Sequence, residues 1–239
     1  MRKKIIATLL YVAAQVCFAQ PTPTQIYGGF GIGTDQFAPI RNVDDTLVGG
    51  ASTTSKRNTD HATGADVAGF IGIKQRINPQ FAIAAELSGT LSSAETEAKI
   101  YNFININGTT AIAKIRNKGN LSLSILPSFN INPNSEIFFR GGYSNGRFEA
   151  QSAGDTGGDL IATGRSSAWR SGYIVGLGFQ TDITRCISAR FEYDYSRYQS
   201  IRNSSTLPLA LTGDTIVSKV TPVDHTVMLS VVFNNLITL

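Results

Sequence analysis

The feature that most constrains this chain is a pair of alternating segments joined by a tight turn, at residues 172–198. In the sequence GYIVGLGFQTDITRCISARFEYDYSRY, large apolar or aromatic residues alternate with small, polar or charged ones on both sides of the turn. Side chains of a β-strand point alternately to its two faces, so each segment predicts a strand with one apolar and one polar face. A soluble sandwich would bury the apolar face under a second sheet, whereas an outer-membrane barrel would turn it to lipid.

The N-terminus has the layout of an export signal. A basic start, Met1–Lys4, precedes an apolar run over residues 5–16 and the small residue Ala19. The run is too short to span a membrane as a helix, so we expect a signal peptide at residues 1–19 and a single exported domain at residues 20–239. Lipidation at Cys17 is the alternative, although Val16 stands where such a site usually has a small residue.

Composition separates the exported part from ordinary soluble domains. Charged residues make up 16% of the chain, below the roughly 25% of typical soluble domains. The signal carries three of the 21 Lys and Arg residues, which leaves 18 against 17 Asp and Glu, so no nucleic-acid partner is expected. The exported part keeps one cysteine, Cys186, and therefore no internal disulfide. We expect a shielded thiol at a turn, with an intermolecular disulfide as the alternative.

Six further alternating segments predict strands, at residues 25–33, 64–77, 80–92, 120–132, 136–150 and 223–233. Pro127 lies inside one of them and predicts a bulge, because proline cannot donate to the ladder. Short turns near residues 78–79, 132–135 and 184–186 alternate with long polar segments, which we expect to be exposed loops: Thr34–Thr63, Ser93–Arg116, Gln151–Ser167 and Ser200–Pro222. The dipeptide Asn107-Gly108 predicts the tip of a hairpin in the second of these.

The alternation of short and long connections indicates how the eight strands are arranged. Long connections at one end and tight turns at the other are typical of an antiparallel outer-membrane barrel, whose spanning strands need about 9–11 residues. Because lipid leaves no place for an open sheet edge, the strands must close on themselves. The sequence therefore predicts an all-β fold, a closed antiparallel eight-stranded transmembrane β-barrel.

The strand GYIVGLGF at 172–179, the short turn and the strand SARFEYDY at 188–195 resemble the eight-stranded barrels of the OmpA transmembrane domain and the opacity-protein group. The resemblance extends over the exported chain. It implies a multi-pass location in the Gram-negative outer membrane, a plugged interior, and assembly by the barrel-assembly machinery. Chains of this group commonly end in an aromatic residue, so either Phe233 or the terminal Leu239 is expected to act as the assembly signal.

Charged residues on the predicted inward faces define the candidate site. An eight-stranded lumen is just wide enough for its side chains, so buried charges there must pair. The predicted interior charge network contains Lys74, Glu86, Arg140, Arg190, Glu192 and Asp194. Two interpretations remain open: mutual pairing that plugs the lumen, and a network that switches partners to gate a pore for small ions.

Aromatic residues on the outward faces or at strand ends are expected to form girdles at the two membrane interfaces. They are Tyr143, Trp169, Tyr173, Phe179, Phe191, Tyr193, Tyr195 and Phe233. A ligand platform is the alternative. Tyr198 is out of phase with Tyr195, which predicts a position at the membrane rim or in a bulge.

No pattern predicts a catalytic residue, a metal site or a cofactor. Asp60-His61 and Asp44-Asp45 are similar to the pairs of omptin proteases, but both fall in one predicted loop, and Asp224-His225 has no Ser at a recognisable spacing. We therefore expect a monomeric, non-enzymatic protein that contacts outer-membrane lipid and lipopolysaccharide. Its exposed loops would bind host-surface ligands, an adhesion-type role. The alternative is a small, low-conductance porin.

Overall fold

The computed structural model describes residues 24–46, 53–59, 61–101, 109–156, 159–206 and 215–238, and nearly all of these form β-strands. None of them belongs to a helix that is long and apolar enough to cross a membrane. The predicted signal peptide lies outside the described residues. The strands are β1 Thr24–Phe37, β2 Ile40–Thr46, β3 Thr53–Thr59, β4 Ala62–Arg76, β5 Phe81–Ser92, β6 Glu95–Tyr101, β7 Thr109–Asn132, β8 Ser135–Thr156, β9 Asp159–Asp182, β10 Ile187–Tyr198, β11 Ile201–Thr206, β12 Thr215–Thr221 and β13 Val223–Thr238.

Eight of these strands close into one antiparallel barrel. Their order around the barrel is β1, β4, β5, β7, β8, β9, β10 and β13, and β13 returns to pair with β1. Closure is continuous, with Ile32 opposite Leu229 on one side and Leu87 opposite Leu123 on the other. The predicted closed eight-stranded barrel is confirmed.

The two faces of the barrel wall differ as the alternation predicts. Outward side chains such as Ile32, Leu91 and Leu229 are 60–68% exposed, whereas inward side chains such as Tyr27 and Phe138 are buried. Two apolar clusters fill the interior. The cluster nearer the short turns, which we call the lower cluster, contains Tyr27, Ala84, Leu126, Phe138 and Val232. The cluster nearer the long connections, which we call the upper cluster, contains Phe37, Ala94, Ile115, Phe148, Tyr198 and Val220.

The long connections were expected to be exposed loops, but they contain strands. They contain β2, β3, β6, β11 and β12, while β7, β8 and β9 reach 24, 22 and 24 residues and continue far beyond the length needed to span lipid. β11, β12, β2 and β3 form a separate four-stranded sheet in that order. The prediction failed because alternation marks a strand only where its two faces meet different surroundings. The hairpin predicted in the second connection is confirmed on both sides of its tip, because β6 pairs antiparallel with β7 from Glu95 opposite Arg116 to Tyr101 opposite Thr110. The tip itself, Asn107-Gly108, lies outside the described residues.

The bulge expected at Pro127 is absent. Pro127 lies opposite Ile83 in an unshifted ladder, and the register between β7 and β8 is the same on both sides of it. The register shifts between β7 and β8 fall instead between Asn117 and Gly119 and between Asn130 and Asn132. Gly119 has φ +127°, which glycine adopts without strain, and its N–H donates to Asn117 Oδ1 at 3.0 Å.

Two single-residue expectations are corrected: Tyr198 is out of phase with Tyr195 as predicted but lies in no bulge, and Cys186 is not shielded. Tyr198 lies in phase with the inward side chains of β10 and is buried, with its ring edge-on to Phe148 at a centroid distance of 4.9 Å. Cys186 is exposed rather than shielded, because the short turn after β9 projects beyond the end of the barrel.

Candidate functional site: the charged lumen

Glu86 is the centre of the charges inside the barrel. Its side chain is completely buried. Oε1 accepts a hydrogen bond from Arg140 Nη2 at 2.6 Å, and Oε2 accepts from Arg190 Nη1 at 2.7 Å and from Tyr27 Oη at 2.9 Å. Two cations and one hydroxyl group therefore satisfy this carboxylate in a region without bulk water.

Arg140 joins Glu86 to the acids of β10. Its Nε and Nη2 both donate to the carboxylate of Glu192, the second at 3.0 Å. Asp194 lies farther out, with Oδ1 at 3.5 Å from Arg140 Nε. The planar guanidinium thus bridges Glu86 on β5 and Glu192 on β10, across the width of the lumen.

Arg190 is held by aromatic rings as well as by charge. Its guanidinium carbon lies 4.6 to 5.4 Å from three ring centroids, those of Phe70, Phe138 and Tyr27. Its Nε donates to Gln180 Oε1 at 3.0 Å. Two of its nitrogens donate hydrogen bonds and three aromatic rings surround it, so its orientation is strongly constrained.

Lys74 does not join this central group. Its ammonium lies 2.6 Å from Glu136, nearer to the short-turn end of the barrel. The structure therefore brings together five of the six predicted network residues and places the sixth in a separate pair. Sequence reasoning missed Tyr27, Glu136 and Gln180 as partners, although the alternation of their strands indicated that they face inward.

A second polar group at the other end of the lumen was not predicted. It contains three buried carboxylates, Asp35, Asp66 and Asp224, with Asn117 and Ser92. Asn117 Nδ2 donates to Asp35 Oδ2 and Asp224 Oδ2, at 3.1 Å each, and Ser92 Oγ donates to Asp35 Oδ2 at 2.9 Å. One oxygen of each carboxylate has no hydrogen-bond partner. The inward positions of Asp66 and Asp224 followed from alternation, whereas Asp35 falls in a segment that was predicted to be a loop. The convergence of the three carboxylates required the strand register.

These layers leave little open space in the lumen. A cavity of about 20 Å³ beside Tyr27, Lys74 and Arg190 has room for about one water molecule. A cavity of about 90 Å³ lies at the mouth, near Arg76 and Asp182. Above the central network, the acidic group and the upper apolar cluster occupy the bore. Within the described part of the chain, side chains fill the lumen from the central network to the upper apolar cluster.

The predicted girdle residues lie on the outer wall. Tyr195 is half-buried and the other seven are exposed at the outer surface. Tyr143 lies opposite Tyr173, and Tyr195 lies opposite Val175 and His225. Phe233 faces outward opposite Ile187, while Leu239 lies outside the described residues.

The weak catalytic pairs gain no support from the arrangement. Asp224 points into the lumen, whereas the neighbouring His225 is on the outer wall with Nδ1 at 2.8 Å from Tyr193 Oη. His61 is exposed, and the side chains of Asp44, Asp45 and Asp60 lie outside the described part of the chain. Within that part, no group of three or more His, Cys, Asp or Glu residues is arranged to hold a metal ion.

Residues 5–233 match the family model described as the outer membrane protein beta-barrel domain. The chain belongs to this family. No curated protein sequence matches it. Among solved structures it is similar to OprG from Pseudomonas aeruginosa, at 14% identity over 89% of this chain and 95% of that chain, with a TM-score of 0.51. It is also similar to the outer membrane protease OmpT from Escherichia coli, at 10% identity over 88% and 96%, with a TM-score of 0.50.

These identities establish the fold alone. With the family, they place the protein in the bacterial outer membrane, which it crosses several times. In such barrels the short turns face the periplasm and the long connections face the exterior. The acidic group therefore lies at the outer end of the lumen, and the pair of Lys74 and Glu136 lies at the periplasmic end.

Proposed function

We propose that this protein is a plugged outer-membrane anchor that recognises external ligands through its strand extensions. It acts as a monomer without catalytic activity, and its exported domain comprises residues 20–239. Its partners are outer-membrane lipid, lipopolysaccharide, the barrel-assembly machinery during insertion, and a ligand on a host surface.

The observation that carries this proposal is the contrast between the two ends of the barrel. The periplasmic turns are short, whereas β7, β8 and β9 continue outward as paired strands and four further strands form a sheet at the same end. Recognition residues are usually carried by outer segments on a rigid scaffold. Ladders that continue past the lipid band make those segments more rigid than irregular loops.

The filled lumen disfavours the alternative, a small porin. Arg140, Glu192 and Glu86 cross the bore as one bonded group, and each is buried. Opening a path for ions would require breaking contacts between desolvated charges, which is costly. A steady pore is therefore not expected from the folded protein.

Two assays on one set of variants test the proposal. Residues 41–58 and 202–219 are each replaced by a two-residue Asn-Gly turn, singly and together. Bacteria that produce each variant are applied to an epithelial monolayer and to an immobilised sulfated polysaccharide. The same purified proteins are placed in planar lipid bilayers.

Attachment to at least one of the two surfaces should fall at least fivefold when both hairpins are shortened, while all variants remain silent in bilayers. A variant with the exposed periplasmic Arg185 changed to Gln is the matched control and should attach like the natural protein. Unchanged attachment of the shortened variants, or steady channels formed by the natural protein, would contradict the proposal.

A further inference from the structure

Two arginines stand on the lipid-facing wall among aromatic side chains. Arg147 on β8 lies opposite Trp169, and Arg197 on β10 lies opposite Tyr173. Both arginines are exposed, as are the two rings. Tyr143 completes the group, since it lies opposite Tyr173 and shares a hydrogen bond of 2.7 Å with Ser171.

Both arginines lie at the outer edge of the apolar band. On β8 the outward apolar residues begin at Ile137, ten positions before Arg147, and on β10 they begin at Ile187, ten positions before Arg197. Ten residues that rise 3.3 Å each along a strand tilted by about 40° cover about 25 Å of height, which matches the apolar band of such barrels. The two guanidinium groups therefore lie at the level of the outer headgroups.

Neither arginine has an acidic partner among the described residues. Arg147 Nε makes one weak contact, a hydrogen bond of 3.3 Å to Ser167 Oγ, and Arg197 contacts the uncharged hydroxyl group of Tyr195. Two nearby cations differ in this respect, because Arg116 lies 4.0 Å from Glu95 and Lys118 lies 3.2 Å from Glu149. Arg147 and Arg197 thus retain their charge for a partner outside the protein.

The opposite wall has no such pair. The matching height on this wall lies ten positions toward the outer end of each strand, starting from the outward apolar residue nearest the periplasmic end. This position is Gln36 on β1 and Thr63 on β4. Uncharged residues occupy the same height there. The two arginines at this height therefore lie on one side of the barrel. Together with the three neighbouring aromatic residues they form a set that we term the β8–β10 patch: Arg147, Arg197, Tyr143, Trp169 and Tyr173.

We propose that the β8–β10 patch binds the phosphate groups of an anionic glycolipid in the outer leaflet. Guanidinium groups bind phosphate through two parallel hydrogen bonds, and such bonds are stronger than those between neutral groups. The two arginines lie two strands apart, with about 4.8 Å between neighbouring strands, and are offset by four residues along the strands. Their Cα atoms are therefore separated by about 16 Å, so each arginine binds a different phosphate group. The rings pack against the sugar and the upper acyl chains. This inference rests on the lipopolysaccharide partner of the proposed function and assigns it a site on the membrane-facing wall, but it does not depend on recognition by the strand extensions.

The chain contains one tryptophan, and it lies in the patch. Fluorescence of Trp169 in the folded protein therefore reports binding directly. The protein is kept in a neutral detergent and titrated with purified lipopolysaccharide. Three proteins are compared: the natural one, R147Q/R197Q, and the control R76Q/R185Q, which removes two exposed cations at the periplasmic end.

The natural protein and R76Q/R185Q should bind with the same apparent Kd, and R147Q/R197Q should bind at least tenfold more weakly. Dephosphorylated lipopolysaccharide should bind the natural protein at least tenfold more weakly than intact lipopolysaccharide does. This arm decides the proposal even if R147Q/R197Q does not fold. Equal binding by R147Q/R197Q, or no loss on dephosphorylation, would overturn it. Saturation by inorganic phosphate alone with the same affinity would overturn the assignment to a lipid headgroup.

Discussion

At the scale of the residue, the fold depends on how single buried charges are compensated. Glu86 is compensated by two arginines and a tyrosine hydroxyl group. Asp224 receives one hydrogen bond, from Asn117, and one of its oxygens has no partner. A buried carboxylate therefore stabilises the barrel at Glu86 and destabilises it at Asp224, so neutralising these two residues should change the stability in opposite directions.

Changing Glu86 to Gln should destabilise the barrel by about 3–5 kcal/mol, because it leaves two buried arginines without one of their counter-charges. Urea unfolding of the protein in lipid vesicles measures the effect. Glu95→Gln is the control, since Glu95 and its partner Arg116 are both more than 40% exposed at 4.0 Å, and it should cost about 0–1 kcal/mol. Equal stability of the two variants would show that the central network does not hold the barrel together.

Changing Asp224 to Asn should stabilise the barrel by about 1–3 kcal/mol at pH 8, because the amide removes a carboxylate that is costly to ionise in its buried site near Asp35 and Asp66. The gain should shrink as the pH falls, since a protonated carboxyl group is already neutral. Unfolding measured from pH 5 to pH 8 tests this. The exposed Asp182, changed to Asn, is the control for the Asp-to-Asn substitution itself. A variant less stable than the natural protein at pH 8 would contradict the prediction.

At the scale of the element, the sequence predicts strands only where lipid and lumen impose contrasting faces. The segments at 187–198 and 81–92 were predicted almost to the residue, because large outward side chains alternate there with small or charged ones. The outward continuations of β7, β8 and β9 fall mostly in segments that were predicted to be loops, and their length follows from pairing with neighbours. The partners of Arg190 depend on the register of distant strands, which a single sequence does not display.

Small inward residues of β9 leave room for the large side chains of its neighbours. A Cβ atom added at Gly178 would overlap the ring of Phe138, which also packs on Arg190. Gly178→Ala should therefore cost about 1–3 kcal/mol of unfolding free energy in lipid vesicles. Gly141 faces outward with no atom near its added Cβ, so Gly141→Ala is a control expected to be nearly neutral. Equal effects would show that the interior tolerates the extra methyl group.

At the scale of the whole molecule, the barrel has a direction, and both proposals depend on it. The recognition surface and the β8–β10 patch face outward only if the short turns lie in the periplasm. The exposed thiol of Cys186 marks the short-turn end. Ser93, between β5 and β6, is exposed at the opposite end, and a cysteine at this position is the matched probe.

A membrane-impermeant maleimide applied to intact cells should therefore leave Cys186 unlabelled and should label it once the outer membrane is permeabilised. In a Cys186→Ser background, Ser93→Cys should be labelled in intact cells, because the reagent reaches the long-strand end without crossing lipid. Both proteins must first show the heat-sensitive gel migration of a folded barrel. Labelling in the reverse order would place the strand extensions in the periplasm, where they would meet neither an external ligand nor an outer-leaflet glycolipid.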